Sequence, residues 1–310
     1  MKSIKVTKPE EGMRLDRFLH QKTGAPVIWL HKAMRKGQIK LVGKKCDGAT
    51  RVEAGMYVQL YVDPPASDAP QKQRGALTKQ EVELAQHWVL YRDEHILVID
   101  KPAGLATQGG SKLTQHLDRL LPALQFDAKE PPRLVHRLDK DTSGVLLLAR
   151  TVQAARELQH LFAQKKLQKI YLALVSGVPI PREGEVESRM QKEADEEGFE
   201  SMQTGQGKKA LTRYRVLDHL AKTAALVELE PITGRTHQLR VHCAEMGCPI
   251  YGDSKYGSRE ATHAAGLPAK LQLHAYQLRL PAMFGHKSRM IEAAIPEHMK
   301  QAMQQLGLAR

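Results

Sequence analysis

Residues 134–150 read LVHRLDKDTSGVLLLAR, and the rest of the chain is placed by how this stretch is read. An unbroken apolar run, Val145 to Ala149, predicts a strand. Before it stands a polar cluster: His136, Arg137, Asp139, Lys140, Asp141, Thr142 and Ser143. Asp141, Thr142, Ser143 and Gly144 suit a turn that leads into the strand. His136-Arg137-Leu138-Asp139 do not, because a strand or a simple turn has no need of an imidazole, a guanidinium and a carboxylate within four positions. The cluster follows no amphipathic pattern.

Working outward, WVLYR (88–92), HILVID (95–100), KIYLALVSG (169–177), ALTRYRVL (210–217) and AALVELE (224–230) also read as strands. Helical periodicity is expected at 112–121, 152–166 and 235–246. Strands and helices do not alternate regularly, so an α+β domain on a large mixed, mainly antiparallel sheet is expected. Residues 191–209 are polar and read as a mobile insertion. The stretch DPPASDAPQKQRG (63–75) reads as a linker. It divides the chain into a small module over 10–62, a connecting segment over 63–84 and a large module over 85–310.

In the small module, Leu15, Phe18 and Leu19 make one helical face, and a second helix runs from Val27 to Lys36 after Pro26. Ile39 and Leu41, then Val52, Met56, Val58 and Leu60, suggest short strands. Arg14, Arg17, Arg35, Lys36 and Lys40 cluster around these elements, an arrangement that resembles the S-four-like RNA-binding domain.

Charge points the same way. The 310 residues carry a formal +13, and residues 1–62 hold 13 Lys/Arg against 5 Asp/Glu. Such a balance favours a polyanionic partner. An apolar fraction of 42% implies a globular chain. No apolar run approaches the roughly 18–20 residues needed to span a bilayer, and the N-terminus lacks a signal-peptide core. A cytoplasmic monomer with no membrane association is the expectation. Three cysteines supply neither a disulfide framework nor a zinc pattern. His237 and His242 have no acidic ligand at metal spacing, so they are read as RNA-facing or structural and no metal is expected.

HRLDKDTSG (136–144) resembles the motif HRLD-x-x-TSG of the RluA family of pseudouridine synthases. HILVIDKPAGLATQGGS (95–111), KIYLALVSG (169–177), PITGRTHQLRVHCAEMGCPIYGDSKYG (231–257) and LQLHA (271–275) are similar to that family's further motifs, in the same order. The resemblance covers about 90–295, with the S-four-like module before it. It implies an RNA-modifying isomerase acting on uridine, with large-subunit ribosomal RNA as partner. Asp139 is then the nucleophile, and Arg240 the cation that keeps it ionised through an ion pair. Tyr171 stacks on the target uracil, and its hydroxyl is the candidate base for the last proton. Arg137 enters the RNA where the base was, with His136 beside it. Arg235, Lys255 and Lys101 become phosphate contacts. The reaction breaks a glycosidic bond and reforms it through carbon with no redox change, so no cofactor is expected. The sequence has no Gly-rich phosphate loop and no dinucleotide fingerprint.

Two other readings exist. Asp139-Lys140-Asp141-Thr142 fits the D-x-D-x-T pattern of haloacid-dehalogenase-type phosphatases. There, an apolar strand runs directly into the motif, whereas His136 and Arg137 intervene here, and Asp253 looks isolated. A catalytically inactive RNA-binding protein would not need Asp139, Tyr171 and Arg240 together.

Overall fold

The computed structural model describes residues 2–65, 77–109, 115–194, 200–205, 207–257 and 266–310. The chain divides into two compact units, residues 1–76 and 77–310. Most of the expected linker lies outside the described residues. A helix already starts at Lys79, under a capping box in which Thr78 and Glu81 bond each other's backbone N–H. The second unit therefore takes in the end of the segment read as a connection. Among the described residues no helix is long and apolar enough to cross a membrane.

The first unit holds β1 (Lys2–Lys5), α1 (Leu15–Thr23), α2 (Val27–Arg35), β2 (Ile39–Leu41), β3 (Lys44–Lys45) and β4 (Tyr57–Leu60). Its strands form an antiparallel sheet in the order β1-β4-β2-β3. Leu15, Phe18 and Leu19 of α1, Leu30, Ala33 and Met34 of α2, and Ile39, Val58 and Leu60 of the sheet close one core. Gly24, in the left-handed region, ends α1.

The second unit runs α3 (Lys79–His87), β5 (Val89–Arg92), β6 (Ile96–Lys101), α4 (Leu117–Leu120), β7 (Arg133–Leu134), β8 (Ser143–Ala149), α5 (Val152–Ala163), β9 (Gln168–Ser176), β10 (Glu183–Ala194), β11 (Glu200–Thr204), β12 (Lys208–Leu220), β13 (Ala224–Pro231), α6 (Gln238–Glu245), β14 (Leu273–Leu280), β15 (Arg289–Glu292) and α7 (Glu297–Gln305). The main path of its sheet is β11-β10-β12-β13-β9-β14-β8-β6-β5, with β15 beside β14 and β7 beside β8. Every pairing is antiparallel except β8 with β14. This is the mixed, mainly antiparallel sheet expected of an α+β domain. All seven residues of β8 are buried. Val145, Leu147 and Ala149 pack one way, with Ala154, Leu158 and Leu161 of α5. Leu146 and Leu148 pack the other way, with Leu97, Ile99 and Leu117.

Three expectations change. The helix read at 112–121 is described only from Leu117, and Pro122 lies in the 3-10 turn that ends it. Residues 191–209 are not a featureless insertion, because β10, β11 and the start of β12 occupy most of them. A two-residue alternation just before the span, Val186-Ser188-Met190, belongs to the same strand β10 and carries charges on its outer face. Inside, Met190 packs on Ala210 and Val241, with Met202 and Tyr256 against them. The helix read from 235 begins at Gln238, so Thr236 lies outside it and shares no helix face with Arg240.

Candidate active site

The loop between β7 and β8 presents Asp139 and is fixed residue by residue. Leu138 is buried, and its backbone is held twice by Thr107, whose Oγ donates to Leu138 O (2.6 Å) and accepts from Leu138 N–H (3.2 Å). Two residues on, Lys140 O accepts from Gly104 N–H (2.9 Å) and from the Lys101 ammonium (3.1 Å). Asp139 therefore sits between two pinned peptides, and its side chain, 32% exposed, is left to face a cavity.

The β8–β14 junction sets where that loop ends. Ser143 pairs with His274 and Gly144 with Ala275. Gly144 has φ +108°, and a Cβ there would lie 2.2 Å from Ala275 O. The Ser143 hydroxyl donates to His274 Nδ1 (2.9 Å), while Nε2–H of the same ring reaches Ala293 O (3.3 Å). Burial pushes His274 down to about 4, so this bridge is neutral at physiological pH.

The cavity has a volume of about 500 Å³, within the roughly 300–1,000 Å³ usual for small-molecule sites. Its lining brings together the expected catalytic side chains Asp139, Tyr171 and Arg240 and three of the expected RNA contacts, His136, Arg137 and Arg235. Tyr171 comes from β9, where Ala275 and Leu229 flank it on the neighbouring strands. Burial, followed by the Asp139 charge, pushes its phenol above the ordinary range, so it stays protonated at neutral pH. Lys169 stands two residues earlier, on the same strand face, and also lines the cavity. Burial lowers its pKa, and its amine has no hydrogen bond or ion pair among the described residues. Sequence reasoning passed over Lys169. Its spacing from Tyr171 on a strand was the available signal.

Arg137 is exposed and likewise makes no hydrogen bond or ion pair among the described residues. His136 turns inward: Nε2 accepts the N–H of Leu147 (2.9 Å), and the ring lies 4.7 Å from that of Phe162. It takes over pairing with β8 where β7 stops. Burial and then the nearby Lys169 charge push it down to about 3, so it enters the site as neutral imidazole.

Two expected contacts are corrected, those of Lys101 and Arg240. Lys101 is fully buried and cannot reach a phosphate, because its ammonium donates to Pro102 O (2.8 Å), Leu105 O (2.8 Å) and Lys140 O (3.1 Å). Arg240 does not form its ion pair with Asp139. It grips Asp253 through Nε (2.7 Å) and Nη2 (2.6 Å). Asp253 is thus not isolated; it also accepts the N–H groups of Lys255 (2.9 Å) and Tyr256 (3.0 Å). Burial opposes its charge, but Arg240 holds it below the usual carboxylate range. Lys255 is exposed, with its amine 5.9 Å from the Tyr256 ring centre, and does not line the cavity. In the first unit Arg14 is tied to buried Asp16 through Nε (3.1 Å) and Nη2 (2.6 Å), whereas Arg17, Arg35 and Lys36 are exposed.

The residue beside Asp139 is His237. Its Nε2 lies 3.9 Å from Asp139 Oδ2, and its Nδ1 is 2.8 Å from the Tyr256 hydroxyl. Helix α6 behind it is held by buried polar side chains. Gln238 bonds Thr233, Arg235 N–H, Leu211 O and Thr212, and His242 bridges Thr212 (2.8 Å) and Ser188 (3.0 Å).

The chain matches the family model described as RNA pseudouridylate synthase over residues 95–245. It is 37% identical over 317 residues to the ribosomal large subunit pseudouridine synthase C of Escherichia coli (strain K12), covering 100% of this chain and 98% of that protein. The same-named protein of Rickettsia conorii is 35% identical over 294 residues, covering 91% and 94%. Among solved structures, human RNA pseudouridylate synthase domain containing 4 matches with a TM-score of 0.63 at 32% identity, covering 76% of this chain and 99% of that one. Full-length identity at this level, a matching family model and a catalytic-unit fold shared with a solved relative make this chain an enzyme of the RNA pseudouridylate synthase family.

Proposed function

We propose that the chain converts uridine to pseudouridine in large-subunit ribosomal RNA, with Asp139 as nucleophile and without a cofactor. The observation that carries this reading is a carboxylate held between two pinned peptides on the wall of a nucleotide-sized cavity, with a tyrosine from the next motif in the same wall. The substrate follows from the names of the full-length relatives.

Uridine in a helix is out of reach of a recessed carboxylate, so the target base leaves its stack and enters the cavity. Arg137, exposed and unengaged two residues before Asp139, fills the vacated position. Around the cavity Arg137, Lys169 and Arg235 stand against the single charge of Asp139, since Arg240 is neutralised by Asp253. That surplus suits the phosphates flanking the flipped nucleotide. Tyr171 stacks on the uracil. Its phenol is protonated, so it can take the carbon-bound proton only while passing its own hydrogen to an acceptor, and Asp139 is the nearby anion. The first unit, S-four-like with a basic surface, holds RNA without reading the target base.

The test is pseudouridine formation on in vitro transcribed large-subunit ribosomal RNA. The wild type should convert it at multiple turnover. Asp139→Asn should bind RNA within a few-fold and convert none, because a nucleophile contributes to bond making and little to ground-state binding. Turnover by Asp139→Asn would remove Asp139 from the mechanism.

A further inference from the structure

His237 occupies a backbone conformation uncommon for a non-glycine residue. Its φ is +52° and ψ +17°, in the left-handed region, immediately before α6. A non-glycine residue is held there only when its surroundings over-determine it. The surroundings here are a chain of hydrogen bonds that leads to His237, whose far nitrogen faces the nucleophile. The Tyr256 hydroxyl accepts the backbone N–H of Met202 (3.0 Å). Its own hydrogen then has one described acceptor, Nδ1 of His237 at 2.8 Å. That fixes the tautomer: Nδ1 is unprotonated and Nε2 carries the hydrogen. Nε2 is the atom 3.9 Å from Asp139 Oδ2. Burial keeps the ring neutral, and the Arg240 and Lys255 charges act in the same direction against the pull of Asp139 and Asp253.

Arg240, meanwhile, is committed to Asp253, and its guanidinium carbon lies over the Tyr256 ring, 5.1 Å from the centre. Among the described residues, the basic side chain within 4.0 Å of the Asp139 carboxylate is thus His237. We propose that His237, its tautomer set by Tyr256, is a positioning residue that orients the Asp139 carboxylate through Nε2–H once the nucleotide has entered. The gap of 3.9 Å is longer than a hydrogen bond, and catalytic hydrogen bonds commonly tighten only in the occupied site. This inference rests on the reading of Asp139 as nucleophile.

The side-chain amides of glutamine and asparagine separate this role from a backbone role. A Gln amide places an N–H near the position of Nε2, whereas an Asn amide ends near Nδ1. Asn is the better tenant of the left-handed region. A residue needed only for its backbone would therefore rank Asn at or above Gln, and a residue needed for its reach would rank Gln above Asn. Conversion of in vitro transcribed large-subunit ribosomal RNA by the full-length chain should show kcat of His237→Asn down about 10- to 100-fold, below the roughly 10²–10³ of a direct transition-state donor. KM should stay within about twofold, and His237→Gln should keep most of kcat. Tyr256→Phe should lower kcat by a smaller factor and add nothing in the His237→Asn background, because its effect runs through His237. Equal kcat for Asn and Gln, a loss confined to KM, or additive losses would each overturn the proposal. Should His237→Asn melt below the assay temperature, Tyr256→Phe decides alone, and wild-type kcat there overturns the proposal. Asp139→Asn, run in parallel, keeps the two readings apart. If it converts RNA, the nucleophile assignment has failed; if it is dead and His237→Asn is fully active, only the role of His237 has failed.

Discussion

At the scale of single residues, the site depends on which charges have partners. Lys101 was legible as a charge but not as a buried one, because its partners are three backbone carbonyls that no sequence pattern encodes. Burial holds its ammonium down to about 8, with Asp141, Asp139 and Asp100 pulling the other way. The sign follows directly. Below that value the ammonium has three hydrogens for three carbonyls. Above it the amine has two, and one of Pro102 O, Leu105 O and Lys140 O loses its donor. A falling limb in kcat is therefore expected near pH 8, as the loop carrying Asp139 loosens. In Lys101→Arg, whatever its absolute rate, that limb should be displaced upward, since arginine stays charged. An unchanged limb in Lys101→Arg would detach it from this lysine. Tyr171 gives a second prediction. Tyr171→Phe should keep RNA affinity and stall conversion, whereas Tyr171→Ala should also lose stacking, typically about 1–3 kcal/mol per base. Binding and single-turnover measurements on the two variants separate these losses, and near-native conversion in both would return Tyr171 to the core.

Between elements, the decisive contact is the parallel junction of β8 and β14. The segment HRLDKDTSG revealed the loop and the strand, because seven reactive or turn-forming side chains in nine positions have no use in a plain core. The neighbour across the junction was not legible: Ala275 lies 131 residues away from Gly144, and the pairing exists only in the fold. Gly144→Ala must place a methyl group 2.2 Å from Ala275 O at a φ of +108°. Both the clash and the backbone conformation oppose it, and a loss of at least about 2 kcal/mol is expected from overpacking combined with a left-handed non-glycine residue. Gly234→Ala is the control, since its Cβ would meet only the Lys169 amine, at 4.0 Å. Thermal melting of the two variants checks the claim. Equal melting temperatures would mean the junction yields. The ribbon of β10 and β11 escaped the sequence reading for a related reason: a two-stranded arm needs only a few inward residues, here Met190 and Met202, and leaves the rest to charge.

For the molecule as a whole, charge asymmetry was the most legible property, and the structure refines which charges are available. The first unit holds a net +8, but part of that is spent internally. Arg14 is bound to Asp16, and Lys22 to Glu10 (2.5 Å). Arg17, Arg35 and Lys36 are exposed and form no ion pair among the described residues. Phosphates engaged by such side chains release counterions, and each steepens the salt dependence of binding by about 0.7 in the log–log slope for single-stranded nucleic acid. Changing all three to glutamine in the full-length chain should therefore flatten that slope by about 2, if each meets one phosphate. Affinity should fall most at low salt. Conversion at saturating RNA should be unchanged, because these side chains belong to a unit with its own core and the reacting groups belong to the other. The same three substitutions thus separate holding RNA from modifying it. Titration against large-subunit ribosomal RNA at several salt concentrations reads the first, and single-turnover conversion reads the second. A slope equal to that of the wild type would mean that the basic face of the first unit does not touch RNA. A fall in the saturated rate would mean that the unit does more than hold the substrate.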